Sequence, residues 1–550
     1  MGDDVRLDDW VTEMADEVVA EAERRGVPVV VASGLSPSGP VHLGNLREVL
    51  TPHLVADEIR RRGIPCRHLL SWDDFDRLRK VPVGVDPSWA EHIGKPLSRV
   101  PAPPGSPFAS WAEHFKAPMT EAMAALGVEV DPISQTEMYT SGAYLEQIVT
   151  AMRARRVIDG ILGEFRTKQA EADAGGDDDD EEPAAGDYFP YKPFCATCGK
   201  DDTRVVAYDD EFTLEYECAC GHRATVDLRV DHDGKLVWKV DWPMRWAFEG
   251  VVFEPSGVDH QSPGSSFTVG KPIVEQVFGG ERPIGPGYSF VGDGSSSKMS
   301  SSKGAVPTAG DALEIMEPAV LRWVYARRRP KQSFDIVFGP EHLRLYDEWD
   351  SVNRKSADGS ATPAEAAALS RAAATAAGPL PGTPRPLPFK TITSIVDVTA
   401  DDPAQLLRIL GMLDPAGAPA DLSPYEPRLA KARNWVHTRL PDENRTIVRE
   451  TPATDVLGAL DAGDRSQLER LVGGLDDDWS LAGVERLVYG VPKLALGLDL
   501  DAPADADVKK AQREFFKLLY RLLVDAETGP RLPTLLLAIG AERARLLLTP

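Results

Sequence analysis

One strand–turn–helix segment near the N-terminus constrains the fold more than any other part of this 550-residue chain. Residues 29–32 form an apolar, mostly β-branched run, which is typical of a strand buried on both faces of a parallel sheet. Gly34 and Gly39 lie in the turn that follows, and residues 43–62 then place apolar side chains at helical spacing. This order predicts a parallel sheet whose first strand leads through a loop to the start of a helix.

A second strand-like run supports the same fold. Residues 68–70 lead directly into the acidic segment 71–77. Strand, helix and strand, with polar residues after the strands, predict a doubly wound α/β domain whose ligands bind beyond the carboxyl ends of the strands. We also expect a strand at residues 236–242, where apolar residues return.

The turn before the first helix has the composition of a phosphate site. Backbone N–H groups at a helix N-terminus receive phosphate, and glycines allow a close approach of the ligand to the backbone. His42 and Gly44 open this helix, and a histidine can donate to phosphate oxygens as negative charge grows on them. The turn therefore predicts a nucleotide or phosphate ligand.

A distant loop offers the cations that such a site needs. Residues 294–304, the serine loop, have the sequence Gly-Ser-Ser-Ser-Lys-Met-Ser-Ser-Ser-Lys-Gly. A mobile loop of this kind can close a lysine over bound phosphates. Lys298 and Lys303 are both available, and the sequence leaves open which of them contacts the phosphates.

Four of the five cysteines form a cluster with metal-site spacing. Cys195 and Cys198 form one knuckle, and Cys218 and Cys220 form a second, tighter one. Such clustering favours a metal over disulfides, and four thiolates would close a tetrahedral structural zinc site. His222 offers a Cys₃His alternative, and a redox pair is the second interpretation.

Two polar clusters stand near predicted strand ends. Asp73 and Asp74 are interpreted either as partners of a cationic substrate group or an ATP ribose, or as the cap of a helix. Asp259 and His260 form either a plain turn or a polar lip over a ligand.

Charge and length limit the class of protein. The formal net charge of −25 argues against a general nucleic-acid coat protein, because phosphate affinity comes from Lys and Arg, but it allows an RNA enzyme with a local basic face. The chain is too long for one core and has no apolar run of membrane-spanning length. Because its N-terminus is polar and acidic, we expect a cytoplasmic, multidomain protein without a membrane partner.

The last 200 residues differ in character. Ala- and Leu-rich helical patterns dominate from about residue 340, broken by a Pro/Ala-rich stretch at residues 361–388. Helices are predicted at residues 406–413, 468–475, 484–489 and 515–524. Earlier in the chain, the acidic run at residues 175–186 predicts a flexible insertion.

The two loop segments together resemble the signatures of class I aminoacyl-tRNA synthetases, written HIGH and KMSKS. Asn45 stands where the first signature has its second histidine, and Ser301 stands where the second has its inner lysine. Within this class the chain is similar to the class I lysyl-tRNA synthetases of many archaea and some bacteria. The segments that carry this similarity are residues 32–45, 71–82, 191–199, 240–246, 253–260, 298–304 and 326–330.

This resemblance implies ligation of L-lysine to tRNA(Lys) through a lysyl-adenylate, with ATP and Mg²⁺ as substrates. It implies an α/β fold: a HUP-type Rossmann catalytic domain at residues 1–190 and 236–340, interrupted by a zinc-binding insertion at residues 191–235. An α-helical anticodon-binding domain would follow at residues 341–550.

The resemblance also implies site residues by motif position. The residues expected to be catalytic are His42, Asn45, Lys298 and Lys303. Those expected to bind ATP are Pro37, Ser38, Gly39, His42, Gly44, Asn45, Asp259, Lys298, Met299, Ser300 and Ser302. Those expected to bind lysine are Gly34, Ser36, Asp73, Asp74, Trp238, His260 and Tyr288. Those expected to hold structural Zn²⁺ are Cys195, Cys198, Cys218 and Cys220.

Other activities stay open at this point. A glutamyl-type relative would need a placed arginine, such as Arg77 or Arg245, and a cysteinyl-type relative would need an open catalytic zinc. A nucleotidyltransferase acting on a small metabolite would have no use for a C-terminal region of about 200 residues. A tRNA-binding relative without activity is disfavoured, because both phosphate-handling segments are retained.

Overall fold

The computed structural model describes residues 7–169, 188–294 and 306–550. The acidic run at residues 175–186 and the serine-loop residues 298–303 lie outside these ranges. Contacts within the chain divide it into two units, each discontinuous in sequence. Unit 1 comprises Met1–Leu313, Pro318–Val337 and Lys355–Pro381. Unit 2 comprises Glu314–Glu317, Phe338–Arg354 and Gly382–Pro550.

The elements up to the serine loop belong to unit 1. In chain order they are α1 (Trp10–Arg25), β1 (Val29–Leu35), α2 (Leu43–Arg61), β2 (Cys66–Trp72), α3 (Trp111–Ala125), β3 (Asp131–Ser134), α4 (Gln135–Thr140), α5 (Leu145–Arg153), α6 (Arg155–Gln169), β4 (Tyr191–Pro193), β5 (Thr203–Tyr208), β6 (Thr213–Cys218), β7 (Arg223–Asp227), β8 (Gly234–Leu236), α7 (Trp238–Glu249), β9 (Ser256–Gly257), α8 (Ser266–Gln276), β10 (Gly287–Tyr288) and β11 (Val291–Gly292). Short 3₁₀ turns occur at Pro87–His92, Leu97–Arg99 and Val258–Gln261.

The later elements are mostly helical. They are α9 (Ala309–Ile315), α10 (Pro318–Ala326), β12 (Phe334–Asp335), α11 (Glu341–Asp358), α12 (Pro363–Ala373), β13 (Ala374–Thr375), β14 (Gly378–Pro379), α13 (Phe389–Val398), α14 (Pro403–Leu413), α15 (Arg428–Thr438), α16 (Thr454–Gly458), α17 (Ala462–Gly474), α18 (Leu481–Ala495), α19 (Ala506–Val524), α20 (Leu532–Ile539) and α21 (Ala541–Leu548). Two further 3₁₀ turns lie at Ser423–Tyr425 and Asp442–Asn444.

The centre of unit 1 is a parallel sheet in the strand order of a doubly wound fold. Strand β1 pairs in parallel with β2, and β2 pairs with β3. On the other side of β1, Val31 bridges Phe253 in parallel, and Phe253 bridges Ile284 in parallel. The order β3-β2-β1 followed by the segments at Phe253 and Ile284 corresponds to the 3-2-1-4-5 order of Rossmann folds. The predicted strands at residues 29–32 and 68–70 are both part of this sheet.

Helices cover both faces of this sheet. On one face α1 and α2 pack onto β1 through a buried cluster that includes Val18, Val31 and Val55. On the other face the tryptophans of α7 pack against Val30, Ala32 and α8. Both faces of β1 are therefore shielded from solvent, which explains its continuous apolar sequence.

The cysteine-containing segment is a separate antiparallel layer. Strands β5, β6 and β7 form a three-stranded sheet, while β4 pairs antiparallel with β8 at its base. The chain therefore enters and leaves this layer through one two-stranded ribbon.

The strand expected at residues 236–242 is wrong. Only Leu236 ends a strand, and the chain then enters α7. Residues 238–242 alternate apolar and polar side chains as a strand does, but α7 buries Lys239 and Asp241 together with the apolar residues. The helical signal was present in Trp238, Trp242 and Trp246, which are spaced four residues apart.

Unit 2 is built from helices around one large apolar cluster. Residues of α17 to α21 form this cluster, with Leu468, Val488, Leu519 and Leu536 among its fully buried members. The four helices predicted here fall within α14, α17, α18 and α19, apart from Leu475, which caps α17.

The Pro/Ala-rich stretch at residues 361–388 contains a helix that was not predicted. Thr362 and Glu365 form a capping box at the start of α12, and Pro363 occupies its first turn, where a missing N–H costs nothing. The alanines that follow are good helix formers, so the proline marks a helix start rather than a break.

The helices α2 and α19 reach 19 residues each. Both carry several charged side chains along their length. Among the described residues there is no helix that is long and apolar enough to span a membrane.

Candidate functional site

The start of α2 is a reciprocal cap between a histidine and an asparagine. The N–H of Asn45 donates to Nδ1 of His42 over 3.3 Å, and the N–H of His42 donates to Oδ1 of Asn45 over 3.2 Å. Because Nδ1 accepts, the ring proton is on Nε2, which is then the ring's donor toward an anion. A Cβ at Gly44 would lie 2.8 Å from the ring, so any side chain there would displace it.

Both flanks of the serine loop lie against this helix start. The N–H of Leu43 donates to the carbonyl of Pro307 over 2.9 Å, and His42 forms an antiparallel bridge with Thr308. Before the loop, the carbonyl oxygen of Val291 would lie 4.0 Å from a Cβ at Gly44. The described flanks of the serine loop, far from the first signature in sequence, therefore lie beside the N-terminus of α2.

Arg47, one turn into α2, links the segment before the serine loop to the segment before β12. Its guanidinium donates to the carbonyls of Ser289 (2.6 Å), Arg329 (3.0 Å), Pro330 (2.8 Å) and Gln332 (3.0 Å). The residue is 3% exposed, and burial lowers the pKa of its guanidinium to about 10. Strand β11, which directly precedes the serine loop, pairs with β12 just beyond these carbonyls. Arg47 therefore holds the backbone from which the loop starts.

A cavity of about 200 Å³ opens beyond the carboxyl ends of β1 and β2. This is where a doubly wound sheet places its ligands. The residues that line it are Ala32, Ser33, Gly34, Leu35, Ser36, Asn45, Glu48, Leu69, Ser71, Asp73, Trp238, Trp242, Arg245, Glu249, Glu254, Ser256 and His260.

Aromatic rings from α7 form one wall of the cavity. Trp238 and Trp242 stack with ring centroids 5.1 Å apart, and the ring of His260 meets Trp242 edge-on at 5.7 Å. Such a wall suits the aliphatic part of an amino-acid side chain and the face of a cation.

Four carboxylic acids line the same small space. Glu48 accepts a hydrogen bond from the N–H of Gly34, and Glu254 accepts one from Nε1 of Trp246 over 2.6 Å. Burial raises the pKa of Glu48 well above its usual range, that of Glu254 to about 7 and that of Glu249 to about 8. Burial likewise raises the pKa of the fourth acid, Asp73. The three glutamates have no ion-pair partner among the described residues, and a cationic ligand would supply the compensating charge.

Arg245 is the only lysine or arginine among the described residues that line the cavity. Its Nη1 donates to Asp73 over 2.7 Å and to Oγ of Ser71 over 3.0 Å, and its Nη2 pairs with Asp241. Nε of Arg245 and Oε1 of Glu249 are buried without a hydrogen-bond partner. The guanidinium is thus already neutralised by two carboxylates, and the cavity as a whole is acidic.

The adjacent aspartates have different surroundings. Asp74 does not line the cavity: it accepts from the N–H of Thr136 (2.8 Å), from Oγ of Ser134 (2.7 Å) and from Nζ of Lys116 (2.5 Å). It therefore caps the first turn of α4 from outside, while Asp73 faces the cavity.

The other predicted site residues divide in the same way. Those that line the cavity are Gly34, Ser36, Asn45, Asp73, Trp238 and His260. Those described but absent from its lining are Pro37, Ser38, Gly39, His42, Gly44, Asp74, Asp259 and Tyr288. Lys298, Met299, Ser300, Ser302 and Lys303 lie outside the described residues. The binding roles of all these residues stay predictions.

The four clustered cysteines come together in space. Their Sγ atoms lie within 4.8 Å of one another, and two of the pairs are 3.7 Å apart. Four thiolates at about 2.3 Å from one metal ion would be about 3.8 Å apart, so the spacing fits tetrahedral coordination. His222 is not part of the group; its carbonyl accepts the N–H of Cys218 over 2.8 Å.

Sequence reasoning missed several residues that build the cavity. Glu48 lies one turn after Asn45 on the same helix face, and it is an acid between the buried Leu46 and Val49. That pattern was a usable signal, since an acid within a buried stretch needs a partner. Glu249 and Glu254 flank the end of α7, and nothing in their local sequence distinguishes them from surface acids.

Comparison with known proteins agrees with this geometry. A family model described as tRNA synthetases class I (K) matches residues 8–377. The chain is 60% identical to the lysine–tRNA ligase of Streptomyces coelicolor over 568 residues, which cover 98% of each chain. It is 33% identical to the lysine–tRNA ligase of Pyrococcus horikoshii over 541 residues, which cover 96% of this chain and 97% of that one. The predicted α/β class I fold is confirmed, and the chain belongs to the family of class I lysyl-tRNA synthetases.

Proposed function

We propose that this chain activates L-lysine with ATP and transfers the lysyl group to tRNA(Lys). The observation that carries the proposal is that one residue, Asn45, both caps the phosphate-type helix start and lines the acidic cavity. Adenylate formation requires the amino acid's carboxylate to meet the α-phosphate of ATP, so the two subsites must adjoin.

The phosphates of ATP would lie over the N-terminus of α2. Backbone N–H groups and the Nε2–H of His42 supply donors there, and the helix dipole favours negative charge. Lys298 or Lys303 would add a cation from the serine loop, whose flanks meet this helix start. Pro37, Ser38, Gly39, Asp259 and the serines of the loop would contact the nucleotide.

Lysine would occupy the cavity. Its two ammonium groups match a space in which buried carboxyls outnumber cations, and a bound cation would favour the ionised form of those carboxyls. Asp73 would pair with one ammonium near Gly34 and Ser36. The rings of Trp238 and His260 would contact the methylene chain.

Two steps follow from this arrangement. The lysine carboxylate attacks the α-phosphate in line, the α–β phosphoanhydride bond breaks, and pyrophosphate leaves with Mg²⁺. The 2′-hydroxyl of the terminal adenosine of tRNA then attacks the lysyl carbonyl, and AMP leaves. In both steps the protein positions the reactants and neutralises charge rather than forming a covalent bond.

The cysteine cluster would hold one structural Zn²⁺. Cys195, Cys198, Cys218 and Cys220 supply four thiolates, which leave no open coordination position for chemistry. The ion would fix the turns of the antiparallel layer above the ribbon of β4 and β8.

The remaining domain assignments rest on the family. We assign anticodon reading to the helical C-terminal region and the catalytic role to the parallel sheet of unit 1. Charging of tRNA serves translation, so we place the protein in the cytoplasm.

A glutamyl-type activity is the nearest alternative, and the charge of the cavity argues against it. A glutamate side chain needs an arginine with open donors, but the Nη atoms of Arg245 already serve Asp73, Ser71 and Asp241. A second carboxylate would also add to the uncompensated acids of the cavity.

Amino-acid-dependent ATP–pyrophosphate exchange tests the proposal directly. We expect exchange with lysine and not with glutamate, cysteine or the other amino acids, measured with and without tRNA. His42→Ala should lower the exchange rate by about a hundredfold, because it removes a donor to the developing charge. His437→Ala, a half-exposed histidine of unit 2, is the matched control and should leave exchange unchanged.

Each alternative has its own outcome in this assay. Exchange with a different amino acid would keep the class of enzyme and overturn the substrate. Absence of exchange under every condition would favour the metabolite nucleotidyltransferase or a non-catalytic relative.

A further inference from the structure

One helix of unit 2 carries a continuous stripe of exposed cations. On α19 the residues Lys509, Lys510, Arg513, Lys517 and Arg521 are all exposed. Their spacing of three or four residues puts them on one helix face. The opposite face is apolar and joins the core cluster of unit 2. From the first cation to the last the stripe is about 18 Å long, at 1.5 Å per residue.

This stripe does not serve the stability of its own helix. Like charges three or four residues apart destabilise a helix by a few tenths of a kcal/mol per pair, and this face contains four such pairs. Lys509 and Lys510 also stand near the positive end of the helix dipole, where cations are disfavoured. Asp507 and Glu514 stand at the same spacing from Lys510 and Lys517 and only offset these repulsions, so an exposed row of cations that brings its helix no net stability points to a partner.

The neighbouring acids leave much of the stripe unneutralised. Glu527 pairs with Lys517 at 3.7 Å and with Arg521 at 2.7 Å. Among the described residues no acid lies within ion-pair distance of Lys509, Lys510 or Arg513, although Asp507 and Glu514 share their helix. Three other arginines of unit 2 do have partners: Arg486 with Asp501, Arg531 with Glu485 and Arg545 with Asp476.

We propose that this stripe binds the sugar–phosphate backbone of the tRNA substrate. A linear row of lysines and arginines fits a regularly spaced row of phosphates, and release of counterions from RNA supplies the affinity. Because the net charge of the chain is −25, binding of RNA requires a local basic surface. The inference rests on the proposed function for the identity of the RNA.

The test is a triple substitution of the unpaired cations. Lys509→Gln, Lys510→Gln and Arg513→Gln together keep helix propensity and remove three charges. The Kd for tRNA(Lys), measured between 50 and 300 mM salt, should rise by about tenfold or more at low salt. The slope of log Kd against log salt should fall by roughly 2 to 3, as expected for three phosphate contacts.

A charge-matched triple variant provides the control. Arg486→Gln, Arg531→Gln and Arg545→Gln also remove three cations from unit 2, but each of these is ion-paired. It should leave the salt slope unchanged. An equal loss in both triple variants would overturn the proposal, since the effect would then be one of net charge.

The outcome separates the stripe from the proposed enzymatic function. Lysine-dependent exchange at saturating tRNA should be equal in the wild type and the stripe variant, whereas KM for tRNA in lysylation should rise. If the wild type lysylates tRNA and the stripe variant keeps both its KM and its salt slope, the stripe proposal fails while the function stands. Circular dichroism spectra that superpose would show that neither triple variant has lost its fold.

Discussion

Asp73 and Asp74 stand side by side with different tasks, and exchanging each for asparagine separates them. We expect Asp73→Asn to raise the KM for lysine by about tenfold or more, because a buried ammonium loses its anionic partner. Asp74→Asn should lower the free energy of unfolding by about 1–3 kcal/mol, because it weakens the cap of α4, and leave that KM unchanged. An unchanged KM in both variants would contradict the assignment of Asp73.

The acidic cavity predicts a pH dependence of lysine binding. Burial raises the pKa of Glu254 to about 7 and that of Glu249 to about 8, so both carboxyls are largely protonated at pH 6 and ionised above pH 8. An ammonium binds the ionised form, and the KM for lysine should therefore fall as pH rises from 6 to 8.5. Without lysine the same groups lower stability as pH rises, because acids with raised pKa values resist ionisation.

Steady-state exchange across this pH range checks the expectation. The KM for ATP, measured in parallel, is the internal reference. Glu254→Gln should flatten the lysine profile, and a lysine KM that is flat or rises with pH in the wild type would contradict the account.

At the scale of single residues, sequence could identify chemistry but not orientation. It identified Asp73 and Asp74 as a pair, yet only the fold shows that one faces the cavity and the other caps α4. Glu249 and Glu254 could not be predicted as cavity residues, because their burial arises from the packing of α7 against the sheet.

At the scale of elements, Arg47 links α2 to the backbone beside the serine loop. Arg47→Met should slow adenylate formation by on the order of tenfold, while the KM for lysine changes little. The substitution removes the hydrogen bonds that hold the backbone beside the serine loop, but it does not alter the residues that line the cavity. Pre-steady-state burst measurements give this rate. Arg67→Gln, an exposed cation on β2, is the control and should have no effect.

A purely structural role of Arg47 would give a different result. In that case the free energy of unfolding would fall, but the adenylation rate per folded molecule would equal that of the wild type. Four carbonyls that lose their donor are expected to cost stability in either case.

The antiparallel layer should depend on its metal. Cys198→Ser should lower the zinc content from about one ion per chain to near zero, since three thiolates hold zinc less tightly than four. Amides of β5, β6 and β7 should then exchange hydrogen faster. Cys66→Ser, which changes a cysteine outside the cluster, should leave both measurements unchanged. Full zinc retention in the Cys198 variant would contradict four-cysteine coordination.

Local pattern predicted the elements that have a distinctive composition or a clear starting signal. The strand at residues 29–32 and the helix at residues 43–62 were predicted because a β-branched run and a capped amphipathic stretch have distinct periods. The helix that begins at Trp238 was not predicted, because its buried Lys239 and Asp241 alternate with apolar residues and give the segment the pattern of a strand. The ribbon of β4 and β8 joins residues about 40 positions apart, which no local pattern reports.

At the scale of the whole molecule, unit 1 needs a helix from far along the chain. Arg371 of α12 is 1% exposed and donates to Asp9 at 2.6 Å and to Glu58 at 2.8 Å. Its carbonyl accepts from Arg322 over 2.9 Å. A chain that ends at residue 340 should therefore unfold more readily than one that ends at residue 381.

A point substitution in the full chain isolates this contribution. Arg371→Met should lower the free energy of unfolding by roughly 3–5 kcal/mol, because it leaves buried carboxylates without their cation. Arg24→Met, at an exposed ion pair that solvent screens, should leave it nearly unchanged. Denaturant titration measures both, and equal effects would contradict the argument.

The discontinuity of unit 1 also has a consequence during synthesis on the ribosome. Domains tend to fold as units in the order in which they emerge, but this one closes only when the segment Lys355–Pro381 has left the exit tunnel. Until then Asp9 and Glu58 lack the ion pairs that they form with Arg371 in the folded protein. Nascent chains that have passed the serine loop but not α12 are therefore the form most exposed to chaperones and proteases.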